Sequence, residues 1–255
     1  MRKGLDAYKI KLLALFFMIL DHVHRYLLNP VTAPEWIPLI TRFVSPIFLY
    51  LMIDGFYHTR NRKKFLIRLF LASLIMYLGN IAINLYFHNV NSSTGQYSLY
   101  SLLQPANIFF TLALLFAFVW CLENIKQHKN IPLSIFLAIV TATLSLISEG
   151  GIVLLPIAFI IWIFYGKKSL QCVGISVFCV ILLAHALINF YTSYKGTTLY
   201  SYLCFNNEWA LFLMIPLVLL YNGERGINTA FSKYMFYTIY PIHIWIFYVI
   251  RLLSR

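Results

Sequence analysis

KLLALFFMILDHVHR, Lys11 to Arg25, is an apolar run that closes on four ionisable side chains, Asp21, His22, His24 and Arg25. The apolar part reads as a helix entering a membrane. At the centre of such a helix each ionisable group costs roughly 2.5–3.5 kcal/mol on insertion scales, so this cluster either surfaces at an interface or works. Helical spacing allows Asp21 to face His24 and Arg25, three and four residues on, while His22 projects about 100° away. One face would then be a paired, neutralised cluster. The other presents an imidazole to the interior of a bundle.

The whole composition agrees with a membrane setting: 61% of the 255 residues are hydrophobic, 18% aromatic and 11% charged, with a mean hydropathy of +0.77. A soluble domain of this size does not have that balance. The fold class expected is all-α, a polytopic transmembrane helix bundle forming one integral membrane domain over 1–255. The 20 Lys and Arg against 8 Asp and Glu, formally +12, read as cytoplasmic-loop bias and contact with anionic headgroups of a lipid bilayer. No nucleic-acid partner is expected.

Cys172 and Cys179 fall in one apolar segment, and Cys121 and Cys204 at opposite membrane faces, so neither a disulfide framework nor a zinc spacing is present. His22 and His24 point to different faces, and no HxxxH or HExxH pair offers a metal site. The opening MRKGLDAYKIK and the apolar run after it resemble the first two regions of a signal peptide, without a small-x-small cleavage site. An uncleaved first helix is expected.

Hydrophobic runs and their breaks predict about nine spans, near 9–28, 36–57, 65–87, 105–123, 131–148, 150–166, 169–190, 207–222 and 234–252. The connections alternate. Met1 to Lys11, His58 to Arg68, Glu123 to Asn130, Gly166 to Lys168 and Asn222 to Lys233 are basic; those between carry almost no cation, Lys195 excepted. The positive-inside rule then puts the N-terminus in the cytoplasm and the C-terminus outside. The fifth, sixth and eighth spans are short, and one of them could be re-entrant.

On this topology Asp21, His22 and Arg42 lie in the outer half of the bundle, Glu149 with Gly150 and Gly151 forms an outer turn, and His243 follows Tyr240 and Pro241 in the last span. These could converge on one polar cavity. On the inner face GFYHTRNRKKFLIR, Gly55 to Arg68, gathers His58, Arg60, Arg62, Lys63, Lys64 and Arg68. It reads either as a positive-inside anchor on lipid headgroups or as a site for the phosphates of coenzyme A. His22 is either an interfacial residue or a general base oriented by Asp21. Asn80 with Asn84 and Asn107 with Thr111 read first as hydrogen-bond glue between helices, Tyr234, Tyr237 and Tyr240 as a packing stripe, Asp54 as a cap or partner of the basic loop, and His185 as satisfied within the bundle.

Several stretches together resemble the TraX family. KIKLLALFFMILDHVHR is similar to its opening helix ending in Asp-His, and RFVSPIFLYLMIDGFYHTRNRKKFLIRLFL, Arg42 to Leu71, resembles its most recognisable block. NIFFTLALL from Asn107, EGG from Glu149 and YPIHIWIFYVI from Tyr240 follow in the expected order. The resemblance implies an integral acetyltransferase of the bacterial plasma membrane, the family's namesake acetylating the N-terminal amine of F-pilin. By residue match it implies Asp21 and His22 as the catalytic pair, Arg42 and His243 as further catalytic residues of the cavity, and Asn107, Glu149 and Tyr240 as cavity lining. His58, Arg60, Arg62, Lys63, Lys64 and Arg68 would hold acetyl-CoA as cosubstrate. His24 and the long polar connections at 88–104 and 191–206 have no match in the family pattern.

The activity expected is transfer of acetyl from cytoplasmic acetyl-CoA to an extracytoplasmic peptide, protein or glycan acceptor, an amine first, with Arg42 opposite the oxyanion. Transfer is either direct or through an acetyl-histidine. The alternatives are O-acetylation of an envelope sugar, a proton-coupled transporter and a non-catalytic assembly subunit.

Overall fold

The computed structural model describes residues 4–29, 32–91, 94–105, 107–193 and 196–254. Met1 to Lys3 and Lys195, which enter the charge pattern above, lie outside the described residues, as does the side chain of Lys233. Within them the chain is helical, with one isolated bridge between Leu5 and Tyr221. The helices are α1 (Ala7–Tyr26), α2 (Ile37–Thr41), α3 (Val44–His58), α4 (Arg62–Tyr86), α5 (Leu99–Leu103), α6 (Ile108–Lys126), α7 (Ile131–Leu146), α8 (Gly151–Ile163), α9 (Lys168–Ser193), α10 (Leu199–Phe205), α11 (Ile215–Leu220) and α12 (Ala230–Leu253), with a 3-10 helix over Glu208–Met214.

Among the described residues five stretches are long and apolar enough to cross a bilayer: Ile37–His58, Arg62–Tyr86, Ile108–Lys126, Lys168–Ser193 and Tyr234–Leu253. A sixth is Leu199–Phe205 with Glu208–Leu220, bent by 67° and so either a broken span or a re-entrant loop. That bend falls at the start of the eighth expected span, 207–222, and its first arm precedes it. α7 and α8, the fifth and sixth, are shorter apolar helices. The connections expected at 88–104 and 191–206 are not plain loops, since α5 lies in one and α10 in the other. Both are started by a hydroxyl cap that apolarity does not register: Ser98 accepts from Ser101 N and Thr198 from Ser201 N.

The chain divides into two compact units, Met1–Ile53 with Pro156–Ser232, and Asp54–Leu155 with Lys233–Arg255. In the first unit α1 starts on an Asp6 cap that accepts from Lys9 N at 2.8 Å, and Leu5 N donates to Leu220 O while Asn222 N donates to Leu5 O. Its interior includes Ile10, Ala14, Ile47, Leu49, Ile53, Ile157, Ile175 and Met214.

In the second unit α4 and α6 pack antiparallel. Phe65 near the start of α4 meets Phe116 of α6 at 4.9 Å between centroids, while Asn107, the N-cap of α6, donates to Ser73 O at 3.0 Å. Ser73 is about 20 Å short of the α4 C-terminus at 1.5 Å per residue. α6 therefore begins beside the middle of α4, and the non-helical residues Pro105 and Asn107 leading into it are buried. Such backbone is tolerated at membrane depth only when protein groups satisfy it. Two asparagines do so. Asn80 Nδ2 donates to Leu103 O and Pro105 O, and Asn84 Nδ2 to Leu102 O and Gln104 O. Their own carbonyls accept from Trp245 Nε1 at 2.9 Å and Tyr248 Oη at 2.7 Å on α12. The hydrogen-bond role expected of this pair is thus specific: it holds the segment that lets α6 start inside the unit.

Candidate functional site

Pro at the second position of α2 starts a helix that lasts five residues and stops at Thr41. The break brings Thr41 against α1. Its Oγ1 donates to Asp21 Oδ1 at 2.6 Å. Arg42 Nη2 lies 2.8 Å from Glu208 Oε1, and Arg42 Nε is buried without a hydrogen-bond partner. A buried N–H left unpaired is costly, of order 1–3 kcal/mol or more, and is a natural donor to an incoming oxygen. His22 is 7% exposed and stacks near Tyr26, 6.1 Å between centroids. His24 Nε2 is likewise buried without a partner. The first unit thus holds Asp21, His22 and Arg42, with Thr41 and Glu208 as partners that apolar patterning did not single out. A Thr-Arg pair closing a Pro-started helix was the one signal for Thr41.

The second unit holds the remaining predicted residues in two places. At one end of α6, its C-terminal turns and the start of α4 enclose an open recess of about 470 Å³ lined by Arg60, Arg62, Lys63 and Lys129 with Thr59, Asn61, Trp120, Asn124 and Gln127. Asn61 caps α4, accepting from Lys64 N at 2.8 Å. The basic loop is therefore shared out. Arg60, Arg62 and Lys63 line the recess. Arg62 also sits over the Phe56 ring at 4.0 Å. Lys64 is exposed one residue further along α4, His58 turns Nδ1 to Asp54 O at 2.8 Å, and Arg68 lies over Phe65 at 5.4 Å. None of these last three lines the recess.

Beneath it lies a carboxylate the sequence reading passed over as part of a basic connection. Glu123 is 7% exposed and accepts from Tyr57 Oη at 3.1 Å and Gln127 Nε2 at 2.7 Å. Gln127 Oε1 in turn accepts from Lys129 Nζ at 3.0 Å. The i, i+4 spacing of Glu123 with Gln127 and of Trp120 with Asn124 was legible on α6; that α4 would complete the recess was not.

At the other end of α6, about 25 Å away along the helix, Tyr240 Oη accepts from Ile108 N at 3.2 Å and donates to Glu149 Oε2 at 3.4 Å. Thr111 Oγ1 donates to Glu149 O at 2.9 Å. The turn before α8 requires glycine twice: Gly150 has φ +67°, and a Cβ on Gly151 would run into Ser145 O. Tyr240 is therefore a hydrogen-bonding residue as well as a packing one, while Tyr237 stacks on Phe109 at 5.5 Å. His243 is 7% exposed and its Nδ1 is 2.6 Å from Ile239 O. A carbonyl only accepts, so Nδ1 donates in this contact. The structure thus brings Asn107, Tyr240, Glu149 and His243 into one neighbourhood within the unit. His185, expected inside the bundle, is exposed on α9 and paired with Asn189 at 3.2 Å: on a helix only 17% buried over its apolar window, a polar side chain finds a partner one turn away.

An all-helical chain with several bilayer-length apolar helices and ionisable groups buried among them is a multi-pass membrane protein with polar chemistry inside its bundle. The model of the TraX protein family matches residues 7–251, and the chain belongs to that family. It is a TraX-like, acyl-CoA-dependent acetyltransferase of the bacterial plasma membrane, and family membership implies use of acetyl-CoA. A Dichelobacter nodosus protein described as "Probable fimbrial assembly protein FimC, serogroup H1" is 26% identical over 251 residues, covering 96% of each chain. No solved structure matches.

Proposed function

We propose that the enzyme moves an acetyl group from cytoplasmic acetyl-CoA to an amine on the extracytoplasmic side, the N-terminus of a fimbrial or pilin-like subunit. The observation that carries the donor half is the cationic recess at Arg60, Arg62, Lys63 and Lys129: phosphate oxygens are held best by clustered guanidinium and ammonium groups near a helix start. A coenzyme A phosphate docks there and the thioester enters the bundle. The acceptor half is supported by the fimbrial assembly role in the description of the Dichelobacter nodosus relative. In topology we propose nine spans with the N-terminus cytoplasmic, in one integral membrane domain. Every stretch expected to span contains helix, and the basic connections alternate with neutral ones.

In the reaction the amine nitrogen bonds to the acetyl carbonyl carbon, the carbon–sulfur bond breaks, and coenzyme A leaves as its thiol. The ammonium form cannot attack. His22, neutral and oriented through Asp21, takes the amine proton and returns one to the sulfur. The tetrahedral oxyanion needs a positive donor, and Arg42 with its unpaired Nε is the candidate. His243, Glu149, Tyr240 and Asn107 are proposed as cavity residues that shape the polar interior. The test is purified enzyme in nanodiscs with radiolabelled acetyl-CoA and an N-terminal pilin-like peptide. Label on the peptide amine, absent in His22→Ala and present in Asn189→Ala, is expected. Label on added glycans and none on peptide would move the acceptor to a sugar hydroxyl.

A further inference from the structure

We infer that the recess reads the nucleotide head of acetyl-CoA, through Trp120 and Asn124 for the base and Lys129 for phosphate. This rests on the donor reading above and adds a base-reading subsite to it. Lipid headgroups share the phosphate chemistry but not the base.

Three features of the recess go beyond what phosphate alone would need. Trp120 lines it, its ring perpendicular to that of Phe116 at 6.3 Å between centroids. An aromatic anchor in the headgroup layer would instead turn outward to lipid. Asn124 follows one helical turn later, so its amide, which both donates and accepts, stands beside that ring. A π-face with an adjacent amide is what a purine takes for stacking and edge recognition.

The third feature is how Lys129 is held. A lysine ammonium is ordinarily a mobile point charge. Here Glu123 accepts from Gln127 Nε2, which fixes the amide so that Gln127 Oε1 faces Lys129 Nζ. Tyr57 occupies the other oxygen of Glu123. The chain of bonds from a buried carboxylate ties a cation to the α6 side of the recess, and Arg60 and Lys63 come from the α4 side. Cations from two elements suit a ligand with phosphates at two places, as adenosine 3′,5′-bisphosphate has. Glu123 and Gln127 are positioning residues.

The experiment uses the full chain in zwitterionic nanodiscs and measures binding of acetyl-CoA, adenosine 3′,5′-bisphosphate and phosphopantetheine by calorimetry. The nucleotide alone is expected to bind and to compete with acetyl-CoA, with phosphopantetheine at least tenfold weaker. Trp120→Ala should weaken the nucleotide by on the order of tenfold, the scale of one base–aromatic stack, and leave phosphopantetheine unchanged. Trp120→Phe, which keeps a π-face, should restore most of the loss, and Glu123→Gln should weaken the nucleotide at unaltered melting temperature. Acetyl-CoA and phosphopantetheine binding equally well would overturn the nucleotide reading and leave the acetyl-CoA reading standing. No acetyl-CoA binding at all would overturn both. Loss of nucleotide binding when anionic lipid is added to the nanodiscs, at constant ionic strength, would reassign the recess to lipid headgroups.

Discussion

The hydroxyl of Thr41 donates to the carboxylate of Asp21 across 2.6 Å, joining two helices through residues 20 apart in sequence. A carboxylate on a membrane helix is costly when isolated, so this bond both lowers that cost and sets which way Asp21 points. Thr41→Val keeps the shape and removes the donor. With a hydrogen bond to a charged group worth about 1.5–3 kcal/mol, acetyl transfer should fall about ten- to a hundredfold, while Thr41→Ser retains most activity. Steady-state rates for both variants, with expression and monodispersity matched, check this.

Removing charge from the recess should act on binding and not on chemistry. Arg60→Ala with Lys63→Ala is expected to raise KM for acetyl-CoA and leave kcat within about a factor of two, the signature of lost uniform binding. Because the recess is open, the wild-type KM should also rise with salt over the range where the Debye length shrinks from about 10 Å to 3 Å. Titrating both proteins at two salt concentrations reads both effects; an equal loss in kcat would place these cations in the transition state instead.

Asn84 satisfies carbonyls that no helix or sheet ladder can reach. Asn84→Leu leaves Leu102 O, Gln104 O and the hydroxyl of Tyr248 without this partner, each loss worth about 1–3 kcal/mol when buried. A drop in melting temperature of several degrees is expected in detergent. Adding Tyr248→Phe should recover part of it, since that removes one of the stranded groups; strictly additive losses in the cycle would show that the two residues are uncoupled.

Gly79 faces the indole of Trp245, and a Cβ there would collide with ring atoms. The same indole donates to Asn80, so the ring has little freedom to move. Gly79→Ala should therefore destabilise by about 1–3 kcal/mol, the usual cost of overpacking, despite alanine's better helix propensity. A melting temperature at or above wild type would show that α12 shifts to make room.

Hydropathy, charge bias and helix signals are sums over neighbouring residues, so KLLALFFMILDHVHR, the basic run from Arg60 to Lys64 and the Glu149-Gly-Gly turn were readable by themselves, and with them the all-helical membrane class and the family. Side-chain partnership is different in kind, because it depends on which helices pack and in what register. Tyr240 and Glu149 are 91 residues apart and Tyr57 and Glu123 are 66 apart. No local pattern relates them. The start of α6 beside the middle of α4, the assignment of Lys64, His58 and Arg68 away from the recess, and the addition of Trp120, Asn124 and Lys129 to it were decided only when the helices came together. In a bilayer, close side-chain packing and interhelical hydrogen bonds drive that association together, so each polar partnership depends on the register of the whole bundle.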